Sequence, residues 1–189
     1  MRVYVASSWR NPGQAGIVHI LRRCGHDVYD FRHPALGNDG FHWTAIDPGW
    51  KAWTPQQYRE ALRHPIARES YELDMAALRA CDACALVLPA GRSANWEFGY
   101  AMGQGKLGVV VQFGHEEPEL MYREAAIITN VDELVDAFGG LTEERAPGRC
   151  PYRSSITDVQ CTLPDGHLCW DATRFHRFEP PAKEPQCAT

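Results

Sequence analysis

The stretch ACALVL, residues 83–88, decides the fold of this chain, because it is a continuous apolar run of strand length. Such a run is typical of a strand buried on both faces in the centre of a parallel sheet. The helical pattern of residues 65–80 precedes it. A polar loop, 89–95, follows it and leads into a helix that carries Trp96 and Glu97. This order predicts helices packed on both faces of a parallel sheet.

The segments on either side repeat this alternation of strand and helix, which predicts an α/β fold with an open, doubly wound, five-stranded parallel sheet. The first predicted helix ends at Gly25, a residue that favours the left-handed C-terminal position. Predicted strands lie at 2–6, 26–30, 83–88, 107–113 and 126–129, and further predicted helices at 13–24, 55–63, 65–80 and 131–138.

The composition is that of an ordinary globular protein, with 44% hydrophobic and 23% charged residues in a chain of 189. The net charge of −5, without a long basic run, argues against binding of duplex nucleic acid. No apolar run is long enough for a membrane span, and the N-terminus enters a strand directly without a signal-peptide pattern. We therefore expect a cytoplasmic protein without a membrane partner.

The strand and helix pattern ends near Gly139, which predicts an α/β domain over 1–139 and a small Cys/His-rich extension over 140–189. Two Cys and one or two His suit a tetrahedral structural zinc site that would hold such a short segment together. The alternative is a tail with free thiols. The candidate ligands are Cys150, Cys161, His167 and His176, with Cys169 as the alternative fourth ligand. Cys81 and Cys84 span a helix end and a strand, so we interpret them as packing residues.

Three loops are expected at the carboxyl ends of the strands, where ligands bind in doubly wound sheets: 7–13, 31–55 and 89–95. The first carries Ser7, Ser8 and Arg10 beside a helix start, which suits an anion site or, alternatively, an N-cap serine and a surface arginine. The second is long and rich in Trp, which suits a lid over a base or a subunit interface. From the second and third loops we take these candidate substrate-binding residues: Phe41, His42, Trp43, Asp47, Gly91, Arg92, Ser93 and Asn95.

Two carboxylates stand out on the predicted helices around the central strand. Glu97 lies between Trp96 and Phe98, and this aromatic setting favours a pocket carboxylate over a glutamate that only complements the helix dipole. Asp74 lies on the helix that leads into the central strand. A single helical aspartate is usually solvated, but paired with Glu97 it would provide the second carboxylate of glycosyl chemistry.

Three segments together resemble the nucleoside 2-deoxyribosyltransferase family and its related nucleoside 5′-monophosphate N-glycosidases. They are VYVASS at 3–8, Asp74 with Cys81-Asp82, and GRSANWEFGYAMGQGK at 91–106. The most specific part is Glu, a hydrophobic residue, Gly-Tyr-Ala, three residues and Gly-Lys. The resemblance covers about residues 1–138.

This resemblance implies a flavodoxin-like fold and a homodimer or higher homo-oligomer. It also implies Glu97 as nucleophile, Asp74 as acid or base, and Tyr4 as the tyrosine that orients the nucleophile. Ser8-Trp9-Arg10 matches the Ser-x-Arg phosphate ligands of the monophosphate hydrolases. Ser93 stands where the transferases usually carry an acid, which favours a phosphorylated substrate.

The expected function is therefore cleavage of the N-glycosidic bond of a nucleoside or its 5′-monophosphate through a covalent glycosyl-Glu97 intermediate. Water as acceptor makes the enzyme a hydrolase, and a second base makes it a transferase. No cofactor is expected for catalysis. The alternatives are an NAD glycohydrolase and a non-catalytic nucleotide-sensing module.

If the extension binds zinc, we expect purified protein to contain about one zinc ion per chain, and chelation to affect the extension first. Elemental analysis of protein produced with zinc present measures this directly. Protein without bound zinc under that condition would contradict the prediction.

Overall fold

The computed structural model of this chain describes residues 1–139, which form a five-stranded sheet with every neighbouring pair parallel. The strand order is β2-β1-β3-β4-β5, the order of flavodoxin-like doubly wound folds, so the predicted fold class is confirmed. The strands are β1 (Arg2–Ser7), β2 (Asp27–Asp30), β3 (Ala83–Val87), β4 (Leu107–Val111) and β5 (Ala126–Ile128).

Helices connect the strands from β1 to β4, the connection from β4 to β5 contains a 3₁₀ turn, and a last helix follows β5. The helices are α1 (Gln14–Arg23), α2 (Pro55–Ala61), α3 (Pro65–Ala80), α4 (Arg92–Gly103) and α5 (Val131–Ala137), with short 3₁₀ turns at Trp43–Ala45, Trp50–Ala52 and Leu120–Glu124. None of the helices within residues 1–139 is long and apolar enough to cross a membrane.

The central strand β3 is buried along its whole length, as its apolar sequence predicts. Because side chains alternate between the faces of a sheet, Tyr4 and Ala6 of β1 lie on one face, together with Cys84 and Leu86 of β3. These four side chains belong to one buried cluster, to which α3 and α4 contribute Met75, Leu78, Cys81, Ala94, Phe98 and Ala101. Cys81 and Cys84 are buried free thiols in this cluster, which agrees with the packing interpretation.

Helix α3 is fixed at both ends by polar contacts. At its start, Pro65 occupies the first turn and the His64 ring accepts a hydrogen bond from the backbone of Ile66. At its end, the Lys106 ammonium donates to the carbonyl oxygens of Leu78 at 2.6 Å and Arg79 at 2.7 Å. A cation at the C-terminus of a helix satisfies free carbonyl groups and complements the helix dipole.

Many predicted boundaries differ from the structure by one or two residues, and the largest difference is at the start of α4. Helix α4 begins at Arg92, inside the predicted loop 89–95, and β4 ends at Val111 rather than at 113. Gly91 is extended at the N-cap, and the Asn95 side chain donates to its carbonyl oxygen at 3.0 Å, which holds the first turn in place. The Gly and Ser content of this segment is typical of a loop, but the helix starts within it, and Glu97 therefore lies in the second turn.

Candidate active site

A cavity of about 320 Å³ lies between α3 and α4, with Tyr4 of β1 in its lining. Its volume is in the range of small-molecule sites. In this strand order the chain reverses direction across the sheet beside β1, where doubly wound folds bind their ligands. The lining residues are Tyr4, Tyr71, Asp74, Met75, Leu78, Arg92, Ser93, Trp96 and Glu97.

Glu97 is a half-buried side chain whose carboxyl group enters this cavity. Burial raises the pKa of Glu97 to about 7, because the charged form loses hydration, and the neighbouring Asp74 carboxylate adds to the rise. The Tyr4 hydroxyl favours the ionised form of Glu97 and therefore opposes this rise in pKa. Near neutral pH, Glu97 is therefore divided between an ionised form that can act as a nucleophile and a neutral form.

Asp74 lines the same cavity from α3. One of its carboxylate oxygens accepts a hydrogen bond of 2.7 Å from the Tyr29 hydroxyl. Burial raises the pKa of Asp74, and this hydrogen bond partly opposes the rise because it stabilises the charged form. A carboxyl group with a raised pKa next to a second carboxyl group is suited to proton transfer.

A pair of tyrosines lies beneath the two carboxylates. Tyr4 and Tyr29 occupy equivalent positions on the parallel strands β1 and β2, and their rings stack with centroids 5.2 Å apart. Burial raises the pKa of both hydroxyl groups, with contributions from Glu97 and Asp74, so both remain protonated hydrogen-bond donors. Among residues 1–139, the buried Tyr4 hydroxyl makes no hydrogen bond of ordinary length and angle. It lies close enough to Glu97 to favour the ionised carboxylate.

The sequence analysis did not single out Tyr29. The available signal was its position in the predicted second strand, equivalent to that of Tyr4 in the first. This equivalence depends on the register between the two strands, which cannot be read from the sequence alone. Tyr71 and Trp96, neither of which was predicted as a site residue, also line the cavity and are about half exposed, at 51% and 54%.

The structure places the predicted loop residues after β1 outside the lining of this cavity. The Ser7 hydroxyl is buried and donates to the carbonyl oxygen of Val87 at 2.8 Å, which joins β1 to β3. The Ser8 hydroxyl accepts from the backbone N–H of Arg10 at 3.2 Å, and the Arg10 side chain is exposed. A role of Ser8 and Arg10 in binding phosphate stays a prediction.

An arginine that the sequence analysis missed organises this loop. The Arg32 guanidinium donates to the carbonyl oxygens of Ser8 at 3.0 Å, Trp9 at 2.9 Å and Asn11 at 2.8 Å. It thereby connects the segment after β2 to the loop after β1. Because these carbonyl groups converge on a cation, Arg32 fixes the shape of the loop.

The long Trp-rich segment forms a separate aromatic cluster. Trp43, Trp50, Trp53, Thr54, Pro55 and Tyr58 line a second cavity of about 350 Å³. Phe41 packs edge-on against Trp43 with centroids 4.7 Å apart, and His42 packs on Trp9 at 4.2 Å. Asp47 accepts a hydrogen bond from the Trp53 indole at 2.6 Å. The four residues predicted here to cover the base thus lie outside the lining of the Glu97 cavity.

Four predicted residues come from the segment around the start of α4. Arg92 and Ser93 line the cavity, whereas Gly91 and Asn95 do not. The Asn95 side chain is engaged in contacts within the protein, since its amide oxygen also accepts a hydrogen bond from the Tyr122 hydroxyl at 2.8 Å. The structure therefore brings five predicted residues together, namely Tyr4, Asp74, Arg92, Ser93 and Glu97.

Within residues 1–139, no group of three or more His, Cys, Asp or Glu side chains is arranged to hold a metal ion. The candidate zinc ligands of the C-terminal extension, Cys150, Cys161, Cys169, His167 and His176, lie outside the described residues. The zinc site therefore stays a prediction from the sequence.

Comparison with protein-family models gives no match, and comparison with curated proteins gives none either. Among solved structures, the chain is similar to a 2-deoxyribosyltransferase from the psychrotolerant bacterium Bacillus psychrosaccharolyticus. That alignment covers 71% of this chain and 90% of the other, with a TM-score of 0.48 and 17% sequence identity. The residues that line the cavity are therefore the basis for inferring a function.

The raised pKa of Glu97 predicts a pH-dependent cost to stability. The folded state holds this proton more tightly than the unfolded state, so the free energy of unfolding falls as the pH rises from about 4.5 to about 7. We expect Glu97→Gln, which carries no charge, to be more stable than the wild type at pH 8 by up to about 3 kcal/mol and nearly equal to it at pH 4.

Urea denaturation at the two pH values measures this difference. Glu72→Gln, an exposed carboxylate on α3, is the matched control and is expected to show no such change. An identical stability difference for Glu97→Gln at both pH values would show that Glu97 does not carry the raised pKa.

Proposed function

We propose that this chain cleaves the N-glycosidic bond of a nucleoside or nucleoside 5′-monophosphate, with Glu97 as nucleophile and Asp74 as general acid and base. The observation that carries the proposal is the pair of partly buried carboxyl groups, both with raised pKa values, in one cavity with aromatic walls. Two carboxylates with different roles are what glycosyl cleavage through a covalent intermediate requires.

In the first step, an ionised Glu97 oxygen attacks C1′ of the sugar as the bond to the base breaks, and a glycosyl ester forms. Asp74 delivers its proton to the departing base, so that the base leaves as a neutral molecule. The Tyr4 hydroxyl, a buried donor beside Glu97, is available to orient the carboxylate for this attack.

In the second step, water or another base attacks C1′ and releases Glu97, and Asp74 takes up the proton of the acceptor. The pKa of Glu97 of about 7 suits this cycle, because a nucleophile with a very low pKa attacks weakly and a much higher one stays protonated.

The aromatic walls suit a planar base. Trp96 and Tyr71 lie on opposite helices, α4 and α3, at the cavity and are each about half exposed. Trp96 is held by its stack on Tyr100, with ring centroids 5.5 Å apart. A fixed, partly exposed indole offers a flat apolar surface on which a base can stack.

We expect Glu97→Gln to fold normally and to lose several orders of magnitude in kcat, because a neutral amide does not form the ester. Mass spectrometry of the wild type during turnover should detect the protein with the added mass of the sugar. Product chromatography with deoxynucleosides, their monophosphates and NAD identifies the substrate class.

We expect Asp74→Asn to lose most activity with substrates whose base is a poor leaving group and less with those whose base leaves easily. Glu72→Gln on the same helix is the control, with activity expected to equal that of the wild type. Activity of Glu97→Gln within about tenfold of the wild type would show that Glu97 is not the nucleophile. An equal loss of activity of Asp74→Asn with all bases would show that Asp74 is not the general acid.

Preference for a phosphorylated substrate is the finer part of the proposal. Arg92 and Ser93, in the first turn of α4, contribute a guanidinium and a hydroxyl to the lining of the cavity, beside helix N–H groups. Such donors favour a phosphate group, and each charge-assisted hydrogen bond to it is worth roughly 1.5–3 kcal/mol.

We therefore expect a 5′-monophosphate to exceed its nucleoside by tenfold or more in kcat/KM. Arg92→Ala should remove most of this preference, whereas Arg68→Ala, an exposed arginine on α3, should retain it. Arg10→Ala tests the loop after β1 as the phosphate site instead. Wild-type protein that turns over the free nucleoside equally well would contradict phosphate recognition.

A further inference from the structure

The hydrogen bond from Tyr29 to Asp74 connects the edge of the sheet to the cavity. Asp74 belongs to the cavity lining, but Tyr29 does not. Tyr29 lies on β2, at the edge of the sheet. Its hydroxyl is 2.7 Å from Oδ1 of the Asp74 carboxyl group. The Tyr29 hydroxyl donates this hydrogen bond and the carboxylate oxygen accepts it.

This contact leaves Asp74 with inequivalent oxygens. Oδ1 is occupied by the phenol, while Oδ2 makes no hydrogen bond with another described residue that would hold it. A carboxyl group held by one oxygen presents the other in a defined direction, which a freely rotating carboxyl group would not. The proton that Asp74 transfers would therefore reside on Oδ2.

The Tyr29 ring is itself held in place. It stacks on the Tyr4 ring with planes only 19° apart, and Tyr4 is fully buried in the core. The parallel pairing of β1 with β2 puts the two residues opposite each other. Because packing fixes both the ring and the strand, the Tyr29 hydroxyl has a defined position relative to Asp74.

Other charged and titratable groups also face Asp74 and must be separated from the effect of Tyr29. Tyr4 of β1 and Glu97 of α4 interact electrostatically with the Asp74 charge. Arg92 of α4 and Tyr71 of α3 line the same cavity. Among these and Tyr29, the direct hydrogen bond to the Asp74 side chain comes from Tyr29.

We propose that Tyr29 is a positioning residue for Asp74, holding Oδ1 so that Oδ2 is directed at the departing base. This inference rests on the proposed function, because it assigns the geometry of the acid in that reaction. Tyr29 acts through Asp74 and does not touch the substrate.

Tyr29→Phe tests the proposal, because the phenyl ring keeps the stack on Tyr4 and loses only the donor. We expect a fall of about tenfold in kcat with little change in KM, largest for substrates with poorly leaving bases. The pH profile should move to higher pH, because the ionised form of Asp74 loses its hydrogen bond and the pKa of the carboxyl group rises.

Titration of the Asp74 carboxyl carbon by NMR in aspartate-labelled protein, assigned by comparison with Asp74→Asn, measures the same pKa without turnover. It should rise in Tyr29→Phe and stay unchanged in Tyr58→Phe, an exposed tyrosine on α2. In the Asp74→Asn background, Tyr29→Phe should cause no further loss of activity.

An unchanged Asp74 titration, or a Tyr29→Phe effect that persists undiminished in Asp74→Asn, would overturn the proposal. Absence of turnover in the wild type with every nucleoside and nucleotide would instead defeat the proposed function. The NMR titration would still report whether the Tyr29 hydroxyl holds Asp74. The two failures are therefore distinguishable.

Discussion

Two carboxyl groups that share one poorly hydrated cavity constrain the rest of this site. Glu97 and Asp74 each lose hydration on burial, which raises the pKa of both groups, and the Asp74 charge further disfavours the ionisation of Glu97. A folded protein tolerates such a pair when one group keeps its proton or when donors stabilise the charge. Here the donors are phenols, Tyr4 beside Glu97 and Tyr29 on Asp74. The arrangement costs stability, raises the pKa of Asp74 and brings the pKa of Glu97 to about 7.

The fold provides the positions that this pair needs. Parallel pairing of β1 and β2 sets the tyrosines side by side, and α3 and α4 bring one carboxyl group each over the same face of the sheet. Lys106, in the turn after α4, binds the last carbonyl groups of α3. The helix that carries Glu97 is thereby connected to the end of the helix that carries Asp74, so the two elements are held together at one end.

The polar segments around the sheet have different tasks. The first turn of α4 contributes Arg92 and Ser93 to the cavity. The loop after β1 is held by Arg32, which binds its carbonyl groups. Ser7, at the end of β1, donates a hydrogen bond to β3. The Trp-rich segment packs its indoles around a cavity of its own. The cavity at Glu97 is therefore lined by residues from helices and one strand, which hold side chains more rigidly than loops do.

The sequence by itself determined the layered α/β architecture, because the apolar run at 83–88 and the alternation around it are local patterns with few structural solutions. The resemblance of its motifs also singled out Glu97 and Asp74, which the structure places in one cavity. The tertiary structure decided that Tyr29 binds Asp74 and that the loop after β1 lies outside the cavity. These features depend on strand register and on contacts between distant segments, which local periodicity does not encode.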